Sequence, residues 1–306
     1  MKRWLLKLHR WVALLFAFPL VIVLGTGLIL SFEPWLVDRA TEPGSVTPAR
    51  IQELLHQHDQ EGRARALVYR SYDKTLAIGA GRGGGSVVDV VTGQALPGPS
   101  VLAKFLTTTR RMHETLLIDA GWLVIASTGA MLALALLGVL MGWPRFANSL
   151  SGWHKAMAWG LLPLIVLSPL TGIFLAWGIS FASPRLSSAS AEGSRMSLVD
   201  AVQVLGEQRD LSTLVWLRPQ GGRLLARVNE AGEFRVYELT HQGMVPTPRN
   251  WPRLWHEGNF AGSWSALMNF VTSLAMLGLL VTGPWLWLRR QVRRRVRRLQ
   301  QRPLPG

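Results

Sequence analysis

Four histidines lie at the ends of four apolar stretches of the chain: His9, His113, His154 and His256. They form two matched pairs, because His154 follows His9 by 145 residues and His256 follows His113 by 143 residues. An internal repeat of this period, with a histidine at each matching place, predicts paired axial ligands for haem iron. The alternative for each histidine alone is an interfacial side chain beside tryptophan anchors.

The apolar stretches are long enough to cross a bilayer as helices. None of them contains Asp, Glu, Lys, Arg or His, and they comprise residues 11–32, 120–144, 156–182 and 258–288. A helix of about 20 apolar residues spans the hydrocarbon core, so the sequence predicts four transmembrane helices. We expect residues 1–32 to hold a retained first span, since its apolar run is too long for a signal peptide and no small-residue cleavage site follows it.

Basic residues are concentrated on one side of these spans. Residues 1–10, 145–155 and 289–306 together carry fourteen Lys and Arg and no acidic residue. The positive-inside rule therefore places both termini and the short loop 145–155 in the cytoplasm, and the long segments 33–119 and 183–257 outside. The tail RRQVRRRVRRLQQR adjoins a span, which predicts contact with anionic lipid and not with nucleic acid.

The residue types that are missing also restrict the chemistry. The chain has no cysteine, which excludes disulfides, cysteine-ligated iron–sulfur clusters and covalent haem attached through CxxCH. Any haem held by the histidines would be non-covalent haem b. The absence of acids and bases from the spans argues against a proton pump, an ion-coupled transporter or an intramembrane protease.

Each long outer segment has the pattern of a small α+β unit with one helix and about three strands. The first unit has a predicted helix at 48–58, with Thr47 as its N-cap, and strands at 66–72, 75–79 and 86–96. The second has a predicted helix at 197–208 and strands at 212–218, 224–229 and 234–239. Each unit is marginally small, which favours packing of the two on one another. We interpret the glycine run 81–85 as a flexible hairpin and residues 184–195 as a polar linker.

Glycines occur at matching places within the spans. Thr26-Gly27 and Thr171-Gly172 lie 17 and 18 residues after His9 and His154, and Gly142 and Gly283 lie near the cytoplasmic ends of the second and fourth spans. A haem passing between helices needs a gap that a missing side chain provides, so these glycines are candidate haem-packing positions. The alternative is close helix–helix packing through small residues.

Charged residues flank two of the histidines. Arg110 and Arg111 precede His113, where they could attract an anionic substrate or haem propionates, or simply remain solvated helix charges. Glu114 and Glu257 directly follow proposed ligands and are candidates for a supporting role. The remaining histidines are predicted surface residues: His56, His58 and His241.

The motifs LHRW, WHK, MHE, GWPR and LWHEG, with the insert ending VDVVTGQAL, resemble the PepSY-associated transmembrane family over nearly the whole chain. The resemblance implies a membrane α-helical fold with four transmembrane helices in two parallel repeats, each with an inserted small α+β PepSY-like periplasmic unit. It also implies a bacterial inner-membrane location.

Members of this family include iron-regulated inner-membrane proteins and ferrisiderophore reductases that carry two b-type haems. The resemblance therefore implies an oxidoreductase that passes electrons from a quinol or a cytoplasmic reductase to a periplasmic ferric siderophore. Two alternatives remain open. One is a haem-free membrane protein that binds or regulates a periplasmic partner such as a peptidase, and the other is a quinol-linked cytochrome with another acceptor.

Overall fold

The computed structural model describes residues 2–81, 84–144, 146–182 and 196–300. It divides into two compact units. The helical unit comprises Met1–Leu30, Thr108–Ile179 and Met268–Gly306, and the sheet unit comprises Ser31–Thr107 and Ser180–Leu267. The predicted linker at 184–195, Arg82 and Gly83 of the glycine run, and Arg145 of the short loop lie outside the described residues.

The helical unit is formed by apolar helices and by parts of two helices that continue into the sheet unit. Its helices have these bounds: α1 Lys2–Leu15, α2 Ala17–Leu30, α5 Val101–Thr115, α6 Gly121–Leu140, α7 Leu150–Gly160, α8 Leu162–Ala176 and α11 Ser263–Gln300. Helix α5, which carries His113, was not expected from the sequence.

Among the described residues, three helical segments are long and apolar enough to cross a membrane: Ala17–Ala40, Gly121–Leu140 and Ser263–Arg297. The predicted third span is instead a pair of helices, Leu150–Gly160 and Leu162–Ala176, which meet at an angle of 63°. Counted as one broken span, this pair would be the fourth. The chain is therefore a membrane-embedded protein whose apolar helices contact lipid.

A proline follows each of the two breaks, in the first and in the third predicted span. Pro163 follows the bend at Leu161, and Pro19 follows the interruption at Phe16. A proline has no N–H to give to the carbonyl four residues earlier, and its ring clashes with that carbonyl. The sequence prediction rested on hydropathy and gave no weight to the prolines, so it did not indicate the bend in the third span.

The sheet unit contains one antiparallel sheet of eight strands in the order β4-β3-β2-β1-β5-β6-β7-β8. The strands have these bounds: β1 Ala66–Arg70, β2 Thr75–Gly81, β3 Gly84–Asp89, β4 Ala95–Leu96, β5 Leu214–Gln220, β6 Arg223–Glu230, β7 Glu233–Thr240 and β8 Gly243–Pro246. Four helices accompany them: α3 Glu33–Ala40, α4 Pro48–His58, α9 Leu198–Gln208 and α10 Trp251–Glu257.

The two predicted α+β segments share this sheet. Strands β1 and β5 pair antiparallel, with Leu67 opposite Leu217 and Val68 opposite Trp216. Each segment contributes four strands, one more than predicted, because the short edge strands β4 and β8 carry too little hydrophobic pattern to be recognised. The N-cap prediction is confirmed at Thr47, whose side chain accepts a hydrogen bond from the Arg50 N–H.

One face of the sheet is covered by α4 and α9, which form the core with the strands. Fully buried side chains come from both helices and both strand groups: Ile51, Leu54, Val202, Leu205, Leu67, Leu76, Leu217 and Leu239. The two helices touch directly, because Gly206 of α9 lies against the ring of Pro48, where a Cβ would overlap it. Together with the pairing of β1 and β5 and the shared core, this contact joins the two segments into one unit, as their small size favoured.

The opposite face of β5–β7 is contacted by α3 and α10. The Asn229 amide donates to Asp38 of α3 over 3.2 Å, and Arg227 pairs with Glu257 of α10 at 2.7 Å. Trp216 is opposite Arg227 and Arg227 is opposite Val236, so these side chains share this face. We call it the arginine face, because its charged side chains are mainly arginines.

Candidate functional site

His113 of α5 packs against the C-terminal half of α2. Its Nδ1 lies 3.0 Å from the Val23 carbonyl oxygen and 3.1 Å from the Thr26 hydroxyl. A carbonyl only accepts, so Nδ1 must carry the proton and donate it to Val23. This assignment makes Nε2 the ring nitrogen with the lone pair, which is the form that ligates iron.

His154 of α7 is held in a similar way by α11. Its Nδ1 lies 2.7 Å from the Thr282 hydroxyl oxygen. The Thr282 hydroxyl proton is directed at the Gly278 carbonyl, also at 2.7 Å, so the oxygen accepts from His154. Nδ1 is again the protonated nitrogen, and Nε2 again carries the lone pair.

A glycine follows each of these threonines in the chain and lies beside the imidazole ring. A Cβ at Gly27 would lie 3.3 Å from Cε1 of His113, and a Cβ at Gly283 would lie 3.7 Å from Cε1 of His154. The glycines therefore adjoin the histidine rings themselves. Their spacing predicted haem-packing positions, and their contact with the histidine rings was not foreseen.

The other two predicted glycines have different surroundings. Gly142 is exposed and follows the end of α6 with φ +85°, the left-handed conformation that commonly terminates a helix. This backbone role explains a glycine there without a haem. Gly172 lies within α8, beside the buried Thr171, whose hydroxyl donates to the Leu167 carbonyl.

His9 differs from the two hydrogen-bonded histidines. It lies on α1 near the backbone of Leu134 and within electrostatic range of His154. Its Nδ1 is buried and has no hydrogen-bond partner within the described part of the chain. The charges of His9 and His154 are near enough to interact, so both histidines lie in the same part of the helical unit.

His256 lies on α10, in the sheet unit. Its neighbour Trp255 packs on Phe260, with ring centroids 4.5 Å apart. Glu257, a candidate supporting residue, pairs with Arg227 at 2.7 Å and with Arg253 at 3.0 Å. These ion pairs give Glu257 a structural role in fixing α10 to the arginine face.

The other charged residues and histidines singled out in the sequence lie exposed or half-buried on their helices and turns. Arg111 and Glu114 are exposed on α5, whereas Arg110 is half-buried. His56 and His241 are exposed, as predicted. His58 is half-buried, and its Nε2 lies 2.9 Å from the Gly93 carbonyl, which ties α4 to the turn after β3.

Thr282 and the Val23 carbonyl were missed as site groups. A weak signal for Thr282 was present in the sequence, since the dipeptide Thr-Gly occurs at 26–27, 171–172 and 282–283, although it also occurs at 92–93 and 128–129. The Val23 carbonyl had no signal, because a backbone acceptor is available only when its helix meets the right neighbour.

The imidazole nitrogens of these histidines are donor groups of the kind that ligate haem iron. His113 and His154 offer a neutral imidazole with Nδ1 bonded, which is the arrangement that orients histidine ligands in metal sites. Nδ1 of His9 is buried and has no hydrogen-bond partner among the described residues. No three His, Asp or Glu side chains converge within residues 2–81, 84–144, 146–182 and 196–300, so imidazole is the donor chemistry that these positions present.

Comparison with known protein families shows which family the chain belongs to. The model for the PepSY-associated TM region matches residues 6–290. The chain belongs to the PepSY-associated transmembrane family. The match begins before His9 and ends beyond Gly283, so the family region includes both units. No curated protein sequence matches this member of the family.

Proposed function

We propose that the protein is a cytochrome of the bacterial inner membrane with two haems b, which passes electrons across the bilayer to a periplasmic ferric siderophore. In this proposal four spans form two parallel repeats, with the bent pair α7–α8 as one span. Both termini are cytoplasmic, the sheet unit is periplasmic and the basic tail lies on anionic lipid.

The observation that carries the proposal is the matched holding of two histidines by Thr-Gly dipeptides. Nδ1 of His113 is bonded to α2 beside Gly27, and Nδ1 of His154 is bonded to Thr282 beside Gly283. In both cases the hydrogen bond fixes Nδ1 as the protonated nitrogen, and a glycine adjoins the ring. Both features are expected where Nε2 must point at a metal.

The proposed role of each histidine is to hold iron from a fixed direction. His9 would pair with His154 in one site and His113 with His256 in the other. Bound haem supplies one-electron transfer, and reduction of ferric iron to ferrous iron takes one electron. The protein's own part is to set ligand direction, to exclude water from the ring edges and to tune the potential through the bonds to Nδ1.

The electron donor and acceptor follow from the family resemblance. A quinol or a cytoplasmic reductase would deliver electrons on the inner side. The acceptor would be a ferric siderophore, whose iron leaves the chelator more readily once reduced. Arg110 and Arg111 precede His113 and could guide an anionic substrate or contact haem propionates.

The test is the haem content of the purified full-length protein. We expect two haems b per chain by pyridine haemochrome, and one in each of four variants: His9→Ala, His113→Ala, His154→Ala and His256→Ala. His241→Ala is the matched control, because His241 is exposed in a turn of the sheet unit, and it should keep two.

Absence of haem from protein made in haem-sufficient cells would overturn the proposal and favour a haem-free partner-binding protein. An equal loss in His241→Ala would show that the effect is not site-specific. The acceptor is tested separately, by supplying the dithionite-reduced protein with a panel of ferric chelates while a dye traps Fe(II). A haem-loaded protein that reduces no ferric chelate would favour a quinol-linked cytochrome with another acceptor.

A further inference from the structure

A cleft in the sheet unit is lined by an unusual number of arginines. It has a volume of about 230 Å³ and is bounded by the arginine face, by the segment after β8 and by α10. Five arginines line it: Arg218, Arg227, Arg235, Arg249 and Arg253. Apolar side chains, among them Phe234 and Leu254, complete the wall. Such a wall has the composition of a ligand site with a few placed charges.

Two carboxylates neutralise only part of this charge. Glu233 pairs with Arg249 at 2.7 Å and with Arg235 at 3.3 Å. Glu257 pairs with two further arginines of the cleft, Arg227 and Arg253. Five cations against two anions leave an excess of three positive charges at one cleft. A low-dielectric wall concentrates such a potential and attracts anions.

Arg218 is the cation in this group without an acidic partner. Its guanidinium lies 4.2 Å from the centroid of the Trp216 ring, and no carboxylate pairs with it within the part of the chain that the structure describes. Partial burial lowers the pKa of Arg218, and the nearby Arg253 and Arg227 lower it further. A bound anion would relieve this crowding of like charges.

Arg227 gives a second and independent indication. The residue is 9% exposed, and its Nε is buried with no hydrogen-bond partner in the described residues. Its NH2 group is already bonded to Glu257 at 2.7 Å, and its guanidinium lies 4.8 Å from the centroid of the Phe234 ring. A buried N–H donor that lines a cationic cleft calls for an acceptor there.

We propose that this cleft binds a small ligand through phosphate or carboxylate oxyanions. Arginine presents a planar fork of N–H donors that matches both groups. Two sources have this chemistry, a free small anion and the phosphate of an anionic lipid headgroup. The lipid is a reasonable source because α10, which forms one wall, precedes the apolar helix α11 by only five residues.

The test is calorimetric titration of the full-length protein in a neutral detergent. The probes are citrate, pyrophosphate and short-chain phosphatidylglycerol, with short-chain phosphatidylcholine as the uncharged headgroup. We expect at least one anionic probe to bind, and Arg218→Gln to weaken that binding about tenfold or more. Arg63→Gln is the matched control, because Arg63 is exposed and pairs with Glu61 away from the cleft.

Each outcome decides the matter. Binding of citrate or pyrophosphate that Arg218→Gln weakens and Arg63→Gln does not would support a free anion as the ligand. The same pattern with phosphatidylglycerol alone would support the lipid headgroup. Dissociation constants above about 1 mM for every anionic probe, or equal losses in Arg218→Gln and Arg63→Gln, would overturn the proposal. Arg218→Gln should remain folded, since Arg218 is exposed at the rim.

Discussion

His113 and His154 are held by different numbers of acceptors, although both lie beside a Thr-Gly dipeptide. Nδ1 of His113 has two oxygens within reach, the Val23 carbonyl at 3.0 Å and the Thr26 hydroxyl at 3.1 Å. Nδ1 of His154 has the Thr282 hydroxyl at 2.7 Å. The first imidazole therefore has a second acceptor if one is lost, and the second depends on a single side chain.

The glycines explain part of this difference. Residues 23 and 27 lie one helical turn apart on the same side of α2. Because Gly27 has no side chain, the imidazole ring can reach the Val23 carbonyl as well as the threonine. At Gly283 the ring is farther away, 3.7 Å from the Cβ position compared with 3.3 Å at Gly27. Close approach to the backbone and dependence on a side chain are thus alternative ways to fix a histidine tautomer.

The largest expected effect comes from filling the space at Gly27. Gly27→Leu would put side-chain atoms where the His113 ring lies, so the ring would be displaced and its haem lost. We expect haem content to fall from two per chain to one by pyridine haemochrome. Gly25→Leu, two residues away on the same helix, is the control, since a Cβ there meets nothing within 4 Å. Equal loss in both variants would contradict the role given to Gly27.

The threonines test the difference in acceptors directly. Thr282→Val removes the oxygen that accepts from His154 and should weaken haem retention about tenfold or more, the usual effect of losing a hydrogen bond to a ligand histidine. Thr26→Val should have a smaller effect, because the Val23 carbonyl remains for His113. Haem transfer from each variant to apomyoglobin measures the loss. A greater loss in Thr26→Val would refute the comparison.

Alanine at the two glycines should reveal the difference in spacing. Gly27→Ala forces the His113 ring to move by a few tenths of an ångström, whereas Gly283→Ala makes an ordinary contact with His154. We expect a change in midpoint potential for Gly27→Ala, smaller than the 59 mV or so that corresponds to a tenfold effect in a one-electron couple. Gly283→Ala should leave both midpoint potentials unchanged in a redox titration. A shift in Gly283→Ala and none in Gly27→Ala would contradict the proposed difference in spacing.

The smallest expected effect is on the acid stability of the sheet unit. The Arg249 guanidinium lowers the pKa of Glu233, and Arg235 lowers it further. The folded pKa is below the unfolded value of about 4.3, so the ion pair stabilises the fold above that pH. This contribution is lost as the pH falls through the folded pKa. Glu233→Gln should therefore lower Tm slightly at pH 7 and leave it unchanged in strong acid.

Glu233 and Asp89, a carboxylate in the first half of the sheet, should differ in how salt changes their contribution to Tm. Hydrogen bonding from the Thr92 backbone lowers the pKa of Asp89, which also accepts from the Val91 N–H. These are turn hydrogen bonds, and high salt screens them less than an exposed ion pair. The effect of Glu233→Gln on Tm should shrink at about 1 M salt, where the Debye length is about 3 Å, whereas that of Asp89→Asn should persist. Equal salt responses would rule out the distinction.

Much of the architecture could be predicted because its signals are local. The apolar stretches at 120–144 and 258–288 coincide with helices that are apolar enough to span a membrane. The helix at 48–58 and its cap at Thr47 follow from a polar N-cap and a helical pattern. The strands around residues 67, 76 and 226 follow from runs of β-branched and apolar side chains.

The parts that could not be predicted depend on contacts between distant segments. The pairing of Leu67 with Leu217 joins two segments 150 residues apart. The sequence of neither strand indicates which strand it pairs with. The arginine cleft exists only because β5, β6, β7 and α10 meet. The bend at Leu161 is an intermediate case, since Pro163 could have indicated it.

The candidate site shows the same division between sequence and tertiary structure. Two matched pairs of histidines and the glycines that recur within the apolar stretches are visible in the sequence alone, because they depend only on residue type and spacing. The tertiary structure decided which atoms hold the rings. Thr26 meets His113 across 87 residues of chain and Thr282 meets His154 across 128 residues. A hydrogen bond needs two groups within about 3 Å, and only the packing of the helices brings these groups that close.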